Sequence, residues 1–424
     1  MQSSKIELED IEYYHGESGT FRHGNLTIEN GIIRSIEDSQ RKSEGNLFVI
    51  PGFINTHAHI AMSRFRGLLD DMNLEKFLQK TFALDRDRSE DDIYNSSVCG
   101  IYELLRNGIT SFFDLYYDEH IIWQACNDMG IRAFLSWNTL DREMTTQNGD
   151  PVHNAGEFIK KFRHKNELIE PSVGIQGVYV ASLETMEAAN EVSRKNNTIL
   201  HMHVSETRKE VYEFQERMGK RPVEYLNENS LLSHRMNAAH CVWLNDHEIK
   251  ALGKNEVNVS WNAESNLKLG TGGIPPVPEM IKQNINITVG TDSNGSNNSL
   301  NILESAKTGA ISIKNTRWDA SLITSREVFY MLTLNGGKAS RKKYLGEIRE
   351  GAPADLNIID GDHHSIQCSN PNNVLNQIVY SMNPEAIRDT IIGGKYIKKD
   401  WKMNNDAEEK FRNSLKFLKS NFKI

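Results

Sequence analysis

The sequence repeats one pattern eight times, and this repetition constrains the fold more than any other feature. A short run rich in β-branched residues ends in polar residues, and a longer stretch with helical periodicity precedes the next run. The eight runs are 47–59, 108–116, 131–138, 171–179, 197–206, 236–244, 257–266 and 285–294. Strands alternating with helices predict a parallel sheet, and eight of them favour closure into a (β/α)8 TIM-type barrel over residues 53–345. Ser182, before the helical stretch "LETMEAANEVSRKNN", is a predicted helix N-cap.

The composition is that of an ordinary globular protein. The 424 residues are 38% hydrophobic and 25% charged, and the formal net charge of −8 argues against nucleic-acid and anionic membrane partners. The start "MQSSKIELED" lacks an apolar signal region, and no apolar stretch is long enough to cross a bilayer. The four cysteines have no CxxC spacing, which predicts reduced thiols and a cytoplasmic protein. These cysteines are Cys99, Cys126, Cys241 and Cys368.

The two flanks of the predicted barrel have a different periodicity. Residues 1–52 and 346–400 alternate apolar and polar positions between Gly, Asn and Asp turns, which indicates antiparallel strands. Neither flank is long enough to bury its own core, so we expect both to form one small discontinuous β-sandwich. Residues 401–424 contain four apolar residues at helical spacing, which predicts a docking helix rather than a membrane anchor. These are Phe411, Leu415, Leu418 and Phe422.

Several predicted strands end in groups that bind metals. The segment "PGFINTHAHI" places His57 and His59 one residue apart, so a strand would point both rings to the same side. Alone, such a pair is a weak signal, because histidines also occur singly in cores and on surfaces. Four more groups lie near the ends of the fifth, sixth and eighth runs: His203, Glu206, His240 and Asp292. Because parallel barrel strands converge at their carboxyl ends, the set predicts a site for zinc or iron(II).

The same segments resemble a known family. "PGFINTHAH", "HMHVSET", "AAHCVWL", "SNLKLGTGGIPPV" and "GTDSNGSNNSL" are together similar to the amidohydrolase superfamily. The greatest similarity is to the branch of S-adenosylhomocysteine/methylthioadenosine deaminases, triazine chlorohydrolases and guanine deaminases. The resemblance continues through "EGAPADLNIID" and so covers nearly the whole chain. It implies a hydrolase that acts on carbon–nitrogen bonds other than peptide bonds.

The resemblance implies one divalent metal per chain, zinc by preference. Its ligands are expected to be His57, His59, His203 and Asp292. His201 faces the same side of its strand as His203 but lies further from the carboxyl end, so we expect it to fill the layer beneath. The two-metal arrangement of the superfamily needs a lysine on the fourth strand, and "PSVGIQGVY" contains none.

The resemblance also assigns three catalytic groups, each with an ordinary structural alternative. Glu206 matches a proton-shuttling glutamate rather than a solvated loop residue. His240 matches a group that stabilises the developing oxyanion, although it could be a buried barrel histidine. Asp292 matches a metal ligand and base, although it could cap the next helix. Together these groups imply water attack on a ring carbon and loss of ammonia.

The residues expected to contact the substrate depart from the pattern of the branch. Deaminases that accept S-adenosylhomocysteine carry an arginine where this chain has Trp137 and a histidine where it has Val178. The expected substrate-binding residues are Phe77, Asp85, Trp137, Glu206, His240 and Ser296. The expected substrate is therefore a less charged aminated heterocycle that is purine nucleoside-like, pterin-like or triazine-like.

Three alternatives and one expectation accompany this interpretation. A chlorohydrolase or a cyclic amidohydrolase would share the same metal core, so the leaving group stays open. A barrel that has lost its activity and serves assembly would lack ligands, and none of the six expected metal-site groups is missing. A homodimer or a higher homo-oligomer is expected from the family alone.

Overall fold

The computed structural model describes residues 5–39, 46–72, 74–86, 88–367, 370 and 373–421. Its strands in chain order are β1 (Lys5–His15), β2 (Thr20–Glu29), β3 (Ile32–Asp38), β4 (Leu47–Pro51), β5 (Phe53–Ala58), β6 (Ile109–Tyr116), β7 (Arg132–Thr139), β8 (Ile169–Ile175), β9 (Leu200–Val204), β10 (Met236–His240), β11 (Asn258–Trp261), β12 (Asn286–Val289), β13 (Leu356–Asp360), β14 (Ile387–Ile392), β15 (Lys395–Lys399) and β16 (Lys402–Met403). Its helices are α1 (Leu74–Asp85), α2 (Glu90–Arg106), α3 (Glu119–Met129), α4 (Pro151–Phe162), α5 (Leu183–Asn196), α6 (Arg208–Met218), α7 (Pro222–Glu228), α8 (Asp246–Lys254), α9 (Ala263–Lys268), α10 (Val277–Lys282), α11 (Ile302–Thr316), α12 (Ser325–Leu332), α13 (Leu334–Ser340), α14 (Val374–Tyr380) and α15 (Asn405–Ser420).

Strands β5 to β12 form one parallel sheet in the order in which they occur along the chain. The first and last strands of this sheet approach each other where Ala58 forms a parallel bridge with Asp292. There the backbone N–H of Asp292 donates to the carbonyl of His57 at 2.9 Å. The sheet is therefore a nearly closed barrel, and the predicted (β/α)8 fold is confirmed. Every side chain of β6 and β9 is buried, as in parallel strands that are covered on both faces.

The run 47–59, which the sequence predicts as one strand, is divided at Gly52. Strand β4 pairs with β1 and β13 in the outer sheet, whereas β5 begins the barrel. A Cβ atom on Gly52 would lie 2.1 Å from the hydroxyl oxygen of Thr110, and the N–H of Gly52 donates to the carbonyl of Asp355 at 2.9 Å. Glycine is therefore needed where the chain passes from one sheet to the other.

The outer sheet contains strands from both flanks of the barrel. Its order is β16-β15-β14-β13-β4-β1-β2-β3, so β4 joins the amino-terminal strands to the carboxyl-terminal ones. One face packs a separate hydrophobic core that both flanks supply, with Tyr13, Leu26 and Val49 from one flank and Ile358 and Ile391 from the other. The flanks thus share one sheet. The division into 1–52, 53–345, 346–400 and 401–424 stays a prediction.

Local capping explains where two of the barrel helices begin. The hydroxyl of Ser182, the predicted N-cap, accepts a hydrogen bond from the N–H of Thr185 at the start of α5. Thr207 and Glu210 form a reciprocal capping box at the start of α6. The carboxylate of Glu210 also accepts hydrogen bonds from the N–H groups of Ser205 and Glu206, which fixes the loop that carries Glu206.

Helix α15 packs against α2 near the end of the described chain. The ring of Phe411 stacks on Tyr102 with a centroid distance of 4.0 Å, and Leu418 is buried. Phe422 and Cys368 lie outside the described residues, and the cysteines at 99, 126 and 241 are free thiols. Among the residues that the structure describes, no helix has both the length and the apolar character that a bilayer crossing requires.

Candidate active site

Six predicted site residues lie at the carboxyl ends of four barrel strands. They are His57 in β5, His59 directly after it, His203 in β9, Glu206 in the loop after β9, His240 at the end of β10 and Asp292 after β12. His240 has a φ of 76° and Asp292 a φ of 63°. Such left-handed backbone is unfavourable for residues other than glycine, and it is concentrated at functional sites. The chain is therefore strained where it turns these two side chains into the barrel mouth.

The candidate ligand atoms converge on a common point. Nε2 of His59 lies 3.2 Å from Nε2 of His203 and 3.5 Å from Oδ1 of Asp292. Nε2 of His57 lies 3.8 Å from the same carboxylate oxygen. Ligands bound about 2.0–2.2 Å from a tetrahedral ion are separated by roughly 3.3–3.6 Å. The observed separations therefore suit a single small cation.

The protonation of two histidines also indicates a cation. Nδ1 of His59 lies 2.6 Å from the carbonyl of Leu115, and Nδ1 of His203 lies 2.7 Å from the carbonyl of Gln176. Because a carbonyl can only accept, both Nδ1 atoms carry the proton. Burial lowers the pKa of both rings, so each Nε2 carries a lone pair. Two lone pairs facing each other at 3.2 Å repel unless a positive ion lies between them.

His57 also has a ring nitrogen that needs a partner. Its Nδ1 is hydrogen-bonded to Nε2 of His201 at 2.9 Å. Its Nε2 is buried and has no hydrogen-bond partner among the described residues, and a buried polar atom without a partner is costly. His201 lies behind His57 and is absent from the described groups of residues that could hold an ion. The donor set of histidine nitrogens and one carboxylate oxygen is one that zinc and iron(II) accept.

Glu206 and His240 form the side of the cluster next to these ligands. The carboxylate of Glu206 lies 3.9 Å from Nε2 of His240. Burial, and then the charge of Asp292, raises the pKa of Glu206 to about 8. Burial lowers the pKa of His240. A protonated carboxyl group can donate a proton, and the neutral imidazole beside it has one ring nitrogen that donates a hydrogen bond and one that accepts.

Asp292 and His240 are held by residues that the sequence analysis did not assign. Ser265, at the start of α9, donates to Oδ2 of Asp292 at 2.6 Å and contacts the hydroxyl of Ser296 at 2.9 Å. The side-chain amide of Asn266 lies 2.9 Å from Nδ1 of His240. Both residues belong to the quoted motif "SNLKLGTGGIPPV", so that motif contained the only signal for them. Ser296 was predicted to contact substrate, and the structure places it beside Ser265.

The other predicted substrate residues lie around the cluster rather than within it. Asp85 and Trp137 line one cavity of about 460 Å³, and Nε1 of Trp137 donates to Oε1 of Gln147 at 2.9 Å. Asp85 acts electrostatically on His59, where its charge partly opposes the lowering of the histidine pKa by burial. Phe77 is buried on α1 and packs in the main hydrophobic core. Contact of these residues with a substrate stays a prediction.

The fold and the site define the class to which this protein belongs. It is a parallel (β/α)8 barrel with a metal-binding cluster of histidine and carboxylate groups at the carboxyl ends of its strands. The model of the amidohydrolase family matches residues 48–397, and the chain belongs to this family.

Curated relatives and solved structures agree with this assignment. A 5'-deoxyadenosine deaminase of Methanocaldococcus jannaschii is 35% identical over 392 residues, which cover 91% of this chain and 92% of the relative. A 5-methylthioadenosine/S-adenosylhomocysteine deaminase of Caldicellulosiruptor saccharolyticus is 33% identical over 408 residues, covering 93% of each chain. The crystal structure of an adenosine deaminase from Xanthomonas campestris with bound zinc superposes with a TM-score of 0.88. It is 23% identical and covers 97% of this chain and 98% of its own, so it supports the fold.

Proposed function

We propose that this protein is a metal-dependent aminohydrolase that removes the amino group of an adenosine-like heterocycle as ammonia. The proposal is carried by the convergence of three histidine nitrogens and the Asp292 carboxylate beside the half-buried Glu206 and the buried His240. The relatives described above are named as deaminases of 5'-deoxyadenosine and of 5-methylthioadenosine and S-adenosylhomocysteine. These names favour a purine nucleoside-like ring over the pterin-like and triazine-like alternatives.

One divalent metal per chain would be held by four side chains. These are His57, His59, His203 and Asp292. Zinc is the preferred ion, in line with the zinc-bound relative, and iron(II) is the alternative. We propose a single ion because β8, the fourth barrel strand, has the sequence "IEPSVGI" and offers no lysine to bridge a second one.

The chemistry follows from the groups around the ion. When bound, the metal supplies the Lewis acidity that makes water a nucleophile near neutral pH. Asp292 takes up the proton that the attacking water loses and returns it to the amino group, so that the bond between the ring carbon and this nitrogen breaks and ammonia leaves. Glu206 carries a proton to the ring nitrogen next to the amino-bearing carbon, which makes that carbon electrophilic. His240, held by Asn266, stabilises the negative charge that develops on the attacking oxygen.

The neutral side chain at position 137 favours a substrate without an amino-acid carboxylate. Trp137 is buried and its ring N–H is already bonded to Gln147, so no cation stands at this position to pair with a carboxylate. We therefore propose adenosine or a 5'-substituted adenosine with a neutral substituent in preference to S-adenosylhomocysteine.

The deciding experiment combines a metal assay with a screen for released ammonia. Purified holoprotein should contain one zinc or iron per chain and release ammonia from adenosine or 5'-deoxyadenosine faster than from guanine, aminopterins or aminotriazines. Chloride release from a chlorotriazine without ammonia from any aminated ring would instead favour the chlorohydrolase alternative. Two metals in every chain would contradict the single-ion site.

Two further expectations from the sequence remain predictions. We expect the protein to reside in the cytoplasm and to form a homodimer or a higher homo-oligomer. Cell fractionation and light scattering of the purified holoprotein test them.

A further inference from the structure

One cavity lies away from the metal-binding cluster. It has a volume of about 930 Å³ and lies between α2, α15 and β15. We call it the α15 cavity and define it by six of its lining residues: Tyr102, Arg106, Lys398, Phe411, Leu415 and Lys419. None of its described lining residues is one of the six residues of the candidate active site.

Lys398 is the unusual group in this cavity. The residue is 2% exposed, yet it lines the cavity, and its ammonium group forms no hydrogen bond or ion pair with any residue that the structure describes. Burial, and then the charge of Arg106, lowers its pKa to about 8, against the opposing effects of Asp389 and Glu385. An ammonium group that is largely shielded from water and has no ion-pair partner is unfavourable, so a ligand with a negative charge would offset this cost.

The charged lining of the cavity is positive on balance. It carries five cationic and three acidic side chains. Arg66 is paired with Glu103, and Arg64 is paired with Asp92, which does not line the cavity. The three remaining cations face two remaining acidic side chains, Glu304 and Glu385. Arg106 and Lys419, like Lys398, form no ion pair within the described part of the chain. The cavity thus offers three cations without an ion pair, of which Lys398 is buried and Arg106 and Lys419 are exposed at its rim.

One part of the cavity wall is apolar. Tyr102 and Phe411 stack with an interplanar angle of 10°, and Leu415 and Leu418 of α15 extend this surface. An inorganic anion would leave this wall without a contact. A molecule with an apolar or aromatic body would cover it and gain by removing it from water.

We propose that the α15 cavity binds a small organic anion, whose phosphate or carboxylate group pairs with Lys398 and Arg106 and whose body packs on Tyr102, Phe411 and Leu415. This site is separate from the proposed deaminase site and does not depend on it. Pocket volumes of about 300–1,000 Å³ are typical of small-molecule sites, and this cavity is within that range.

Calorimetric titration of the holoprotein with phenyl phosphate tests the proposal. We expect saturable binding to the natural protein, and at least tenfold weaker binding to Lys398→Met and to Arg106→Gln. Lys399→Met is the matched control, because Lys399 follows Lys398 on β15 but is exposed beside the ring of Tyr396. This control should bind like the natural protein. Arg106 is exposed, so its variant tests the site even if Lys398→Met folds poorly.

Three further ligands separate the contributions of the anionic group and of the aromatic ring to the binding affinity. Inorganic phosphate and phenol should each bind at least tenfold more weakly than phenyl phosphate. Benzoate distinguishes the two anionic groups, since tighter binding of benzoate assigns a carboxylate ligand and weaker binding a phosphate ligand. The ammonia-releasing activity of Lys398→Met should equal that of the natural protein. The proposal is overturned if millimolar phenyl phosphate gives no binding, if Lys398→Met binds it normally, or if phenol binds as tightly.

Discussion

Each proposed histidine ligand has its second ring nitrogen engaged by another part of the barrel. The partners are the carbonyls of Leu115 and Gln176 and the ring of His201. These contacts fix the orientation of each ring and direct its free nitrogen toward Asp292. The residues outside the ligand set therefore matter as much for the geometry of the site as the ligands themselves.

Replacing Glu206 by Gln separates proton transfer from metal binding. The amide keeps the shape and the hydrogen-bonding capacity of the side chain but cannot carry the proton. We expect near-normal metal content and a loss in turnover of about 10²-fold or more, measured by metal analysis and ammonia release. His203→Ala should lose metal and activity together, and Glu213→Gln on the exposed face of α6 should change neither. If Glu206→Gln loses the metal, Glu206 is a ligand.

Replacing Ser265 by Ala tests the support of Asp292. The hydroxyl of Ser265 donates to the carboxylate at 2.6 Å, and a hydrogen bond to a charged group contributes about 1.5–3 kcal/mol. We expect kcat to fall about tenfold or more while KM and metal content stay nearly unchanged. Ser420→Ala, at an exposed position of α15, is the control. An unchanged kcat would show that Asp292 is oriented without Ser265.

At the scale of elements, the barrel and the outer sheet are joined by a few specific contacts. Gly52 lets β4 continue into β5, and the buried pair of Arg132 on β7 and Asp355 before β13 connects the two sheets. Nε of Arg132 lies 2.6 Å from the carboxylate, and this carboxylate also accepts the N–H of Gly393 at 2.8 Å. The pair therefore holds the bottom of the barrel to the outer sheet.

Replacing Arg132 by Met should destabilise this junction. The change leaves the Asp355 carboxylate buried without its cation, which typically costs about 3–5 kcal/mol. The free energy of unfolding, measured by urea denaturation, should fall by that amount. Arg194→Met breaks an exposed pair with Glu191 and should leave the free energy of unfolding nearly unchanged. Equal effects of the two changes would mean that burial does not strengthen the Arg132 pair.

At the scale of the whole molecule, the two ends of the chain depend on each other. Strand β4 lies between β1 and β13, so the carboxyl-terminal strands pair with the rest of the outer sheet through the amino-terminal flank. Along the chain, the barrel therefore lies between two segments that together complete the outer sheet.

Deleting residues 1–50 should produce insoluble protein. The deletion exposes the edge of β13 and uncovers Ile358 and Ile391, and an unpaired apolar strand edge promotes aggregation. Solubility and gel filtration of the truncated protein give the result, with deletion of residues 1–4 as the control. A soluble and active truncation would show that the barrel does not need the outer sheet.

The sequence by itself determined the number of barrel strands and the residues that meet at their carboxyl ends. Both follow from local patterns, because each strand and its polar ending are read within about ten consecutive residues. The family resemblance, which is confirmed, also rests on local patterns, because its motifs include these strand ends.

Only the tertiary structure decided which side chains support the site and where the chain passes between sheets. Ser265 meets Asp292, and Arg132 meets Asp355, through contacts that join segments distant in sequence. The run 47–59 has one continuous apolar pattern, so its division at Gly52 depends on the proximity of Thr110 rather than on periodicity. Likewise, Lys398 belongs to an ordinary alternating strand, and only the packing of α2 and α15 encloses it with Arg106 in a cavity.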